Sequence, residues 1–518
     1  MSPLHIGSDS AGNVVDLVQF VDGKNRPTIP GTSLAGALRT ALAARAEKDD
    51  GWGDKARASA ITIFDAHEKD AGSATTHARH SVAIDRHTGT AVDKHLYSRE
   101  VVAAGSKFRL RIIIETRGSY TTERAEQDLK AIVEALTGTG FAVGASTSRG
   151  LGQVRLQDWK TTRRTLDNAG IRDAILAAAG RRIDVKPDGA QTIPHGTLRI
   201  MVPWQPLGPV MSKVELDGGV ADARPLVADH DNAVRMVIPG SSIKGVIRSH
   251  AERIARTAAG ADAPAVPFLE QMKATGLAGI ADLFGLASDD NDTESRGRRG
   301  AVTVHEVSTE VAVRAEKWRK VAIAATKTNV EASKDEDMQA LAQAITSFNQ
   351  SANATGGDAF LHLDVVMRNS IDRWTGGTAD GRLFSTIEAH ATWKPIVLDL
   401  DVTRLRVLNK KNPGIVDASL ALLLFLLIDA CAGWLAVGYA TTRGLGSFTA
   451  APSAVTFEAS DITDRNTDHV TALVGKNLGQ ILADEALLAS LTEIWNEAVV
   501  EAHEAAMNNS TTDEEAAS

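Results

Sequence analysis

Two stretches of this chain combine small residues, a helix start and positive charge in a way that suits phosphate chemistry. IPGTSLAGALRTALAARA (29–46) and IPGSSIKGVIRSHAERIA (238–255) each pass through Pro-Gly into paired hydroxyl residues and then an apolar-periodic run. Thr32-Ser33 and Ser241-Ser242 are the expected N-caps. Unsatisfied N–H groups and the positive end of the helix dipole attract an anion at such a start. Ser33 and Ser242 stand at that point, Lys244 adds a point charge, and Arg39 and Arg248 follow about one helical turn later. One such helix would be read as an ordinary capped helix. Its recurrence points to function, because capping needs a single Ser or Thr.

Two further motifs place arginine among glycines. SRGLG (148–152) and TRGLG (442–446) allow close backbone approach, and Arg149 and Arg443 can reach a phosphate through two N–H groups. Neither loop has a P-loop lysine or the dinucleotide spacing, which excludes nucleotide hydrolysis. IDRHTG (84–89) and IDRWTG (371–376) are turns in which Asp and Arg either bond the turn itself or leave Arg86, Arg373, His87 and Trp374 against RNA bases. His67, His77, His80, His87 and His95 share one polar segment without zinc-type spacing, and read as surface histidines.

The elements that position these motifs come in duplicate. VGASTSRGLGQV (143–154) returns as VGYATTRGLGSF (437–448), and ITIFDA (61–66) as VTVHEV (302–307). LYSRE (96–100) returns as LFSTIE (383–388), always in the same order. Each copy reads strand, helix, strand, strand, helix, strand. KFRLRIIIE (107–115) and PIVLDLDV (395–402) are strands, while ERAEQDLKAIVEAL (123–136) and VDASLALLLFLLIDA (416–430) are the second helices. The predicted class is α+β: two tandem ferredoxin-like (RRM-like) domains with loop and helical insertions, each leaving one sheet face open to single-stranded RNA. Domains are expected at 1–185 and 196–455, the second with an insertion at about 308–356, followed by C-terminal helices and an acidic disordered tail at 456–518. The boundary falls near VKPDGAQTIPHG (185–196).

Composition sets the outer limits. A chain of 518 residues, 43% hydrophobic and 23% charged, exceeds one ordinary core and suits a soluble protein. Cys431 is its single cysteine, so a disulfide framework is excluded and a reducing cytoplasm fits. The start shows no signal peptide, and the apolar run 418–438 is broken by Asp429, so it reads as a buried helix and not a membrane span. A net charge of −9 argues mildly against nucleic acid. Phosphate binding depends on local Lys and Arg, however, and much of the acid lies elsewhere, in DEDMQ (335–339) and the terminal TTDEEAAS.

The paired motifs resemble the RAMP superfamily, and within it the backbone subunits of type III CRISPR effector complexes. The resemblance implies that each copy covers a stretch of guide RNA (crRNA), pushes a thumb between its bases, and works beside other CRISPR effector subunits, with no membrane involved. It implies that an acidic residue in the loop before each IPG motif cuts complementary target RNA with Mg2+ or another divalent cation. Residue by residue, that places Asp16 in the first copy, with Asp22 further on, and Asp222 in the second, with Asp229 further on. Two alternatives stand beside a metal-dependent nuclease. One is a non-catalytic crRNA-binding scaffold. The other, a guide-processing nuclease, is disfavoured because neither capping loop offers the general-base histidine. Two departures are visible: Ala35 stands where the second copy has Lys244, and the first copy begins at SPLHIG, without a counterpart of the strand in TLRIMVPWQPLG (197–208).

Overall fold

The computed structural model describes the chain except residues 9–14, 43–50, 54–56, 71, 73, 119, 165–180, 187–192, 217–218, 231, 274–275, 288–296, 327–333, 354–357, 411–412, 463–467 and 518. Most of the expected linker between copies, and the end of the polar loop after 350, therefore lie outside the described residues. The fold is mixed α+β in two compact units. One comprises Met1–His77, Glu100–Thr147 and Gly152–Pro194; the other comprises Ala78–Arg99, Ser148–Leu151 and His195–Ser518. Residues 78–99 and 148–151 of the first sequence copy thus belong to the second unit.

The second unit is built on a four-stranded antiparallel sheet. Its strands run in the order Val302–Val304, Ile396–Asp401, Thr197–Val202, Thr456–Ser460. Alternation explains the sheet: Leu198, Ile200 and Val202 are buried on one face, while Arg199 turns to the other and forks onto Asp399 of the neighbouring strand at 2.7 and 2.8 Å. Burial alone would raise the Asp399 pKa, but hydrogen bonds from Arg199 and His305 hold it at about 2. Helices Gly240–Ala259 and Ile415–Cys431 pack together over the apolar face. The second of these is apolar on almost every side and is buried accordingly. Among the described residues no helix is long and apolar enough to cross a membrane. Helices Ala315–Thr326 and Lys334–Ala352 pair through Trp318 and Phe348, whose rings meet edge-on at 6.0 Å.

The first unit is smaller. Helices Gly31–Leu42 and Thr122–Thr137 join through Leu38, Leu42, Ile132 and Leu136 over the strand pair Ile61–Ile63 and Ile112–Ile114. Thr121 caps the second helix by accepting from the Arg124 amide.

The duplication reaches the backbone hydrogen bonds. Leu4 pairs with Val102 as Val210 pairs with Ala389; the carbonyl of Pro3 accepts from Gly152 as that of Pro209 accepts from Gly446. His5 accepts from Ala145 as Met211 accepts from Tyr439. The glycines of the motifs are explained by close approach. A Cβ on Gly31 would strike the Ile63 carbonyl, one on Gly240 the Val304 carbonyl, and ones on Gly144 and Gly438 the carbonyls of His5 and Met211. Gly240→Ala should therefore destabilise the second unit, by about 1–3 kcal/mol if the strand gives way as overpacked cores do, which a lowered denaturant midpoint would show. An unchanged midpoint would contradict the close approach.

Three expectations need correction. The helices begin at the glycines, with Pro239 as the N-cap of the second, so Thr32-Ser33 and Ser241-Ser242 lie inside the first turn and are not caps. Proline has φ preset for this position, and the glycine pressed against a strand fixes where the helix can start. The sheet takes in Thr456–Ser460, so the second domain passes residue 455. C-terminal helices were expected after 455, and the last of them, Glu485–Ala517, runs on into the acidic end read as a disordered tail; its Ala- and Glu-rich sequence has high helix propensity.

Candidate nucleic-acid interface

Within the second unit the two glycine loops present their arginines beside aromatic rings. Arg149 is exposed and donates to the Tyr97 hydroxyl at 3.2 Å, and the Arg99 guanidinium lies 5.8 Å from the same ring. Arg443 is exposed, donates to the Tyr439 hydroxyl at 3.0 Å and stands 5.7 Å from the Phe384 ring. The Lys213 ammonium stands 5.2 Å from Tyr439. Each loop is held by left-handed glycines, Gly150 and Gly152 in one copy and Gly444 and Gly446 in the other. Cation and ring offered together suit a single strand, whose phosphates take the charge and whose bases stack on the rings. Tyr97, Phe384, Tyr439 and Lys213 were not picked out from the sequence. The signal was the aromatic second position shared by LYSRE and LFSTIE.

Lys244 is buried, and its ammonium donates to the carbonyls of Val302, at 2.6 Å, and Ser148, at 3.4 Å. It does not project to the surface as a phosphate grip would. Its place is under the Ser148–Gly150 loop, which it ties to the sheet strand and so helps to present Arg149. Burial, aided by Arg149, Arg299 and Arg248, pushes its pKa down to about 7. The unfolded chain, with an ordinary lysine near 10.5, binds the proton more tightly. Folding stability should accordingly rise with pH between 7 and 10.5, at most about 1.4 kcal/mol per unit. Denaturant midpoints at pH 7 and 9 should show that rise in the wild type and a flatter response in Lys244→Met; equal slopes would contradict it.

Arg86 makes a buried ion pair with Glu252 at 2.7 Å, and Arg248 donates to the other oxygen of the same carboxylate at 2.8 Å. Neither guanidinium is left open as a phosphate ligand should be. Arg373, by contrast, is exposed at the tip of the hairpin Leu361–Ile371 and Thr378–Ala391, and makes no ion pair among the described residues. Ser33 and Ser242 are half-buried, and Arg39 is exposed, donating to the Gly53 carbonyl at 3.2 Å.

In the first unit the helix start opens onto a cavity of about 560 Å³ lined by Gly31, Asp65, His67, Arg109 and Arg111. Asp65 accepts from the Gly31 amide at 2.7 Å and so supplies the cap that Ser33 does not. Asp22 lies near this site: Arg26 donates to it through side chain and backbone, which holds its carboxyl well below the usual range. Asp22 is thus committed to its own loop. Asp16 is exposed, and its neighbours are tied down, Leu17 accepting from the Glu100 amide and Gln19 donating to the Glu100 carboxylate. Asp222 is exposed too, but one carboxylate oxygen accepts from the Ser385 amide at 2.6 Å, joining the strand Ala223–Pro225 to the hairpin. Asp229 lies in the strand Val227–His230.

The RAMP superfamily profile matches residues 1–155 and 225–345, one region in each sequence copy. The chain belongs to the RAMP superfamily. No curated protein matches it. RAMP proteins are generally CRISPR-associated RNA-binding proteins that work in multi-subunit complexes. The second match includes the repeated IPG and VTVHEV motifs, while IDRWTG, LFSTIE and TRGLG of the second copy lie beyond it.

Proposed function

We propose that this RAMP protein is a backbone subunit of a type III CRISPR effector complex, built as two tandem ferredoxin-like domains. In this reading it holds crRNA along its Arg–aromatic sites and cuts complementary target RNA at Asp16. The observation that carries the reading is the repeated pairing of an exposed arginine on a glycine loop with aromatic rings, Arg149 with Tyr97 and Arg443 with Phe384 and Tyr439. Two equivalent grips in one chain suit a ligand that repeats along its length, as a nucleic-acid strand does.

Among the described residues no group of three or more His, Cys, Asp or Glu side chains could cage a metal ion. An Mg2+ taking one protein carboxylate and otherwise RNA oxygens and water does fit, because Mg2+ is commonly held in that way. Exposed Asp16 and Asp222 are the residues that would hold it, and when bound it would supply charge stabilisation at the scissile phosphate. The protein's own part is to hold the backbone next to Asp16, through Glu100 bonding Leu17 and Gln19, and the Asp222 carboxylate itself, through the Ser385 amide.

A scaffold role has one observation in its favour, and it concerns the second copy. Asp222 already spends an oxygen on the Ser385 amide, which gives it a structural task. The two copies are therefore proposed to differ, the first cutting and the second at least gripping. Purification with its genomic neighbours, identification of the bound RNA, and incubation with complementary RNA with and without Mg2+ would separate these readings. Metal-dependent cuts lost in Asp16→Ala support the nuclease, and bound guide without cuts supports the scaffold.

A further inference from the structure

The two hairpin tips carry the same sequence but stand in different surroundings. In the second unit the tip IDRHTG (84–89) is docked on protein. Arg86 pairs with Glu252 of the helix Gly240–Ala259, and its amide donates to the Gln271 side chain at 2.9 Å. The Gln271 amide group returns a bond to Asp85 at 2.9 Å, and His87 meets the Ala263 carbonyl at 3.0 Å. Among the described residues the tip IDRWTG (371–376) has no such seat. Arg373 is exposed and Trp374 is 95% exposed, next to an exposed Ile371. Among the described residues Asp372 bonds its own turn, whereas Asp85 bonds both its turn and Gln271. An arginine and a tryptophan held on a rigid turn make a ready interface anchor.

We infer that the second tip docks on a different polypeptide, through a helix that offers Arg373 a carboxylate beside a side-chain amide, as Glu252 and Gln271 offer Arg86. Register with the first tip argues for protein over RNA as the occupant, because Arg86 and Asp85 are both engaged by protein groups. The sequence also argues against a second copy of this chain. The seat on the helix Gly240–Ala259 is already filled by 84–89. The sequence counterpart of Glu252 in the first copy is Ala43. The other cross-copy ion pair, Arg79 with Glu306, fails as well, since the second hairpin has Val366 in place of Arg79. Both charges needed for head-to-tail contact between copies are missing, so the chain ends a run of itself and hands on to another protein.

The test uses the purified, RNA-free full chain, so it does not depend on whether the chain binds or cuts RNA. Its mass in solution should be that of a single chain from low to high micromolar concentration. Arg86→Glu sets like charge against Glu252, releases the first tip and opens its seat. That variant should associate with rising concentration, and adding Arg373→Glu should return it to a single chain. Ala43→Glu supplies the missing carboxylate at the sequence counterpart of Glu252 in the first copy. It too should associate, again reversed by Arg373→Glu. The inference is overturned if wild-type chains associate through Arg373, or if Arg373→Glu leaves association of either variant unchanged. It is overturned equally if both variants stay single over that range; a roughly tenfold loss of guide RNA from separate RNA-bound preparations of Arg373→Glu and Trp374→Ala would then assign the tip to RNA.

Discussion

Asp16→Ala should remove one target-RNA product while the guide RNA stays bound. The loss should be at least about 100-fold in rate, the range for removing a positioned acid–base or metal-binding group. The reason is local. Asp16 is exposed, and its neighbours Leu17 and Gln19 are both tied to Glu100, which helps to set its backbone position. The fold should survive the change. Asp222 calls for a gentler probe, because alanine there also deletes the bond from the Ser385 amide. Asp222→Asn keeps an oxygen for that amide and removes the charge. If the second copy cuts, Asp222→Asn should remove a second product; if it only grips, the product pattern should match that of the wild type. Chelation of Mg2+ should remove every product the aspartates control.

Arg149→Ala with Arg443→Ala should weaken guide RNA binding without regard to sequence. Each lost phosphate contact on a single strand should flatten the log–log salt slope by about 0.7, so the pair by about 1.4. Tyr97→Ala and Phe384→Ala should act differently. Losing a stacking surface costs about 1–3 kcal/mol per base and barely changes the salt slope. Titrations of RNA at several salt concentrations distinguish the two patterns. An arginine pair whose removal leaves affinity and slope intact would show that the RNA path lies elsewhere.

The sequence made the duplication legible because its motifs are backbone-limited. Gly31, Gly144 and their counterparts Gly240 and Gly438 each sit where a Cβ would strike a carbonyl, so substitution is costly and the pattern survives in both copies. What it could not show depends on tertiary docking. Lys244 looks like a surface cation in a string of letters, and only the fold places its ammonium beneath the 148–150 loop. Arg86 and Arg373 stand in the same motif, yet one is buried against Glu252 and the other exposed, a difference set by residues remote in sequence. The hydroxyls after each glycine matched the N-cap preference, but proline and the adjoining strand fix the helix start. LYSRE and LFSTIE were aligned, but Tyr97 stands 52 residues from Arg149 and Phe384 further still from Arg443, so nothing local joins those pairs; Tyr439, four residues before Arg443, was within reach.

The most direct measurement is cleavage of RNA complementary to the bound guide, by the wild type and by Asp16→Ala, each purified with its neighbouring subunits. The RNA-guided account predicts a co-purifying guide RNA in both, Mg2+-dependent products at regular spacing in the wild type, and one product fewer in Asp16→Ala. Absence of any co-purifying RNA, or identical products from both proteins, would contradict it.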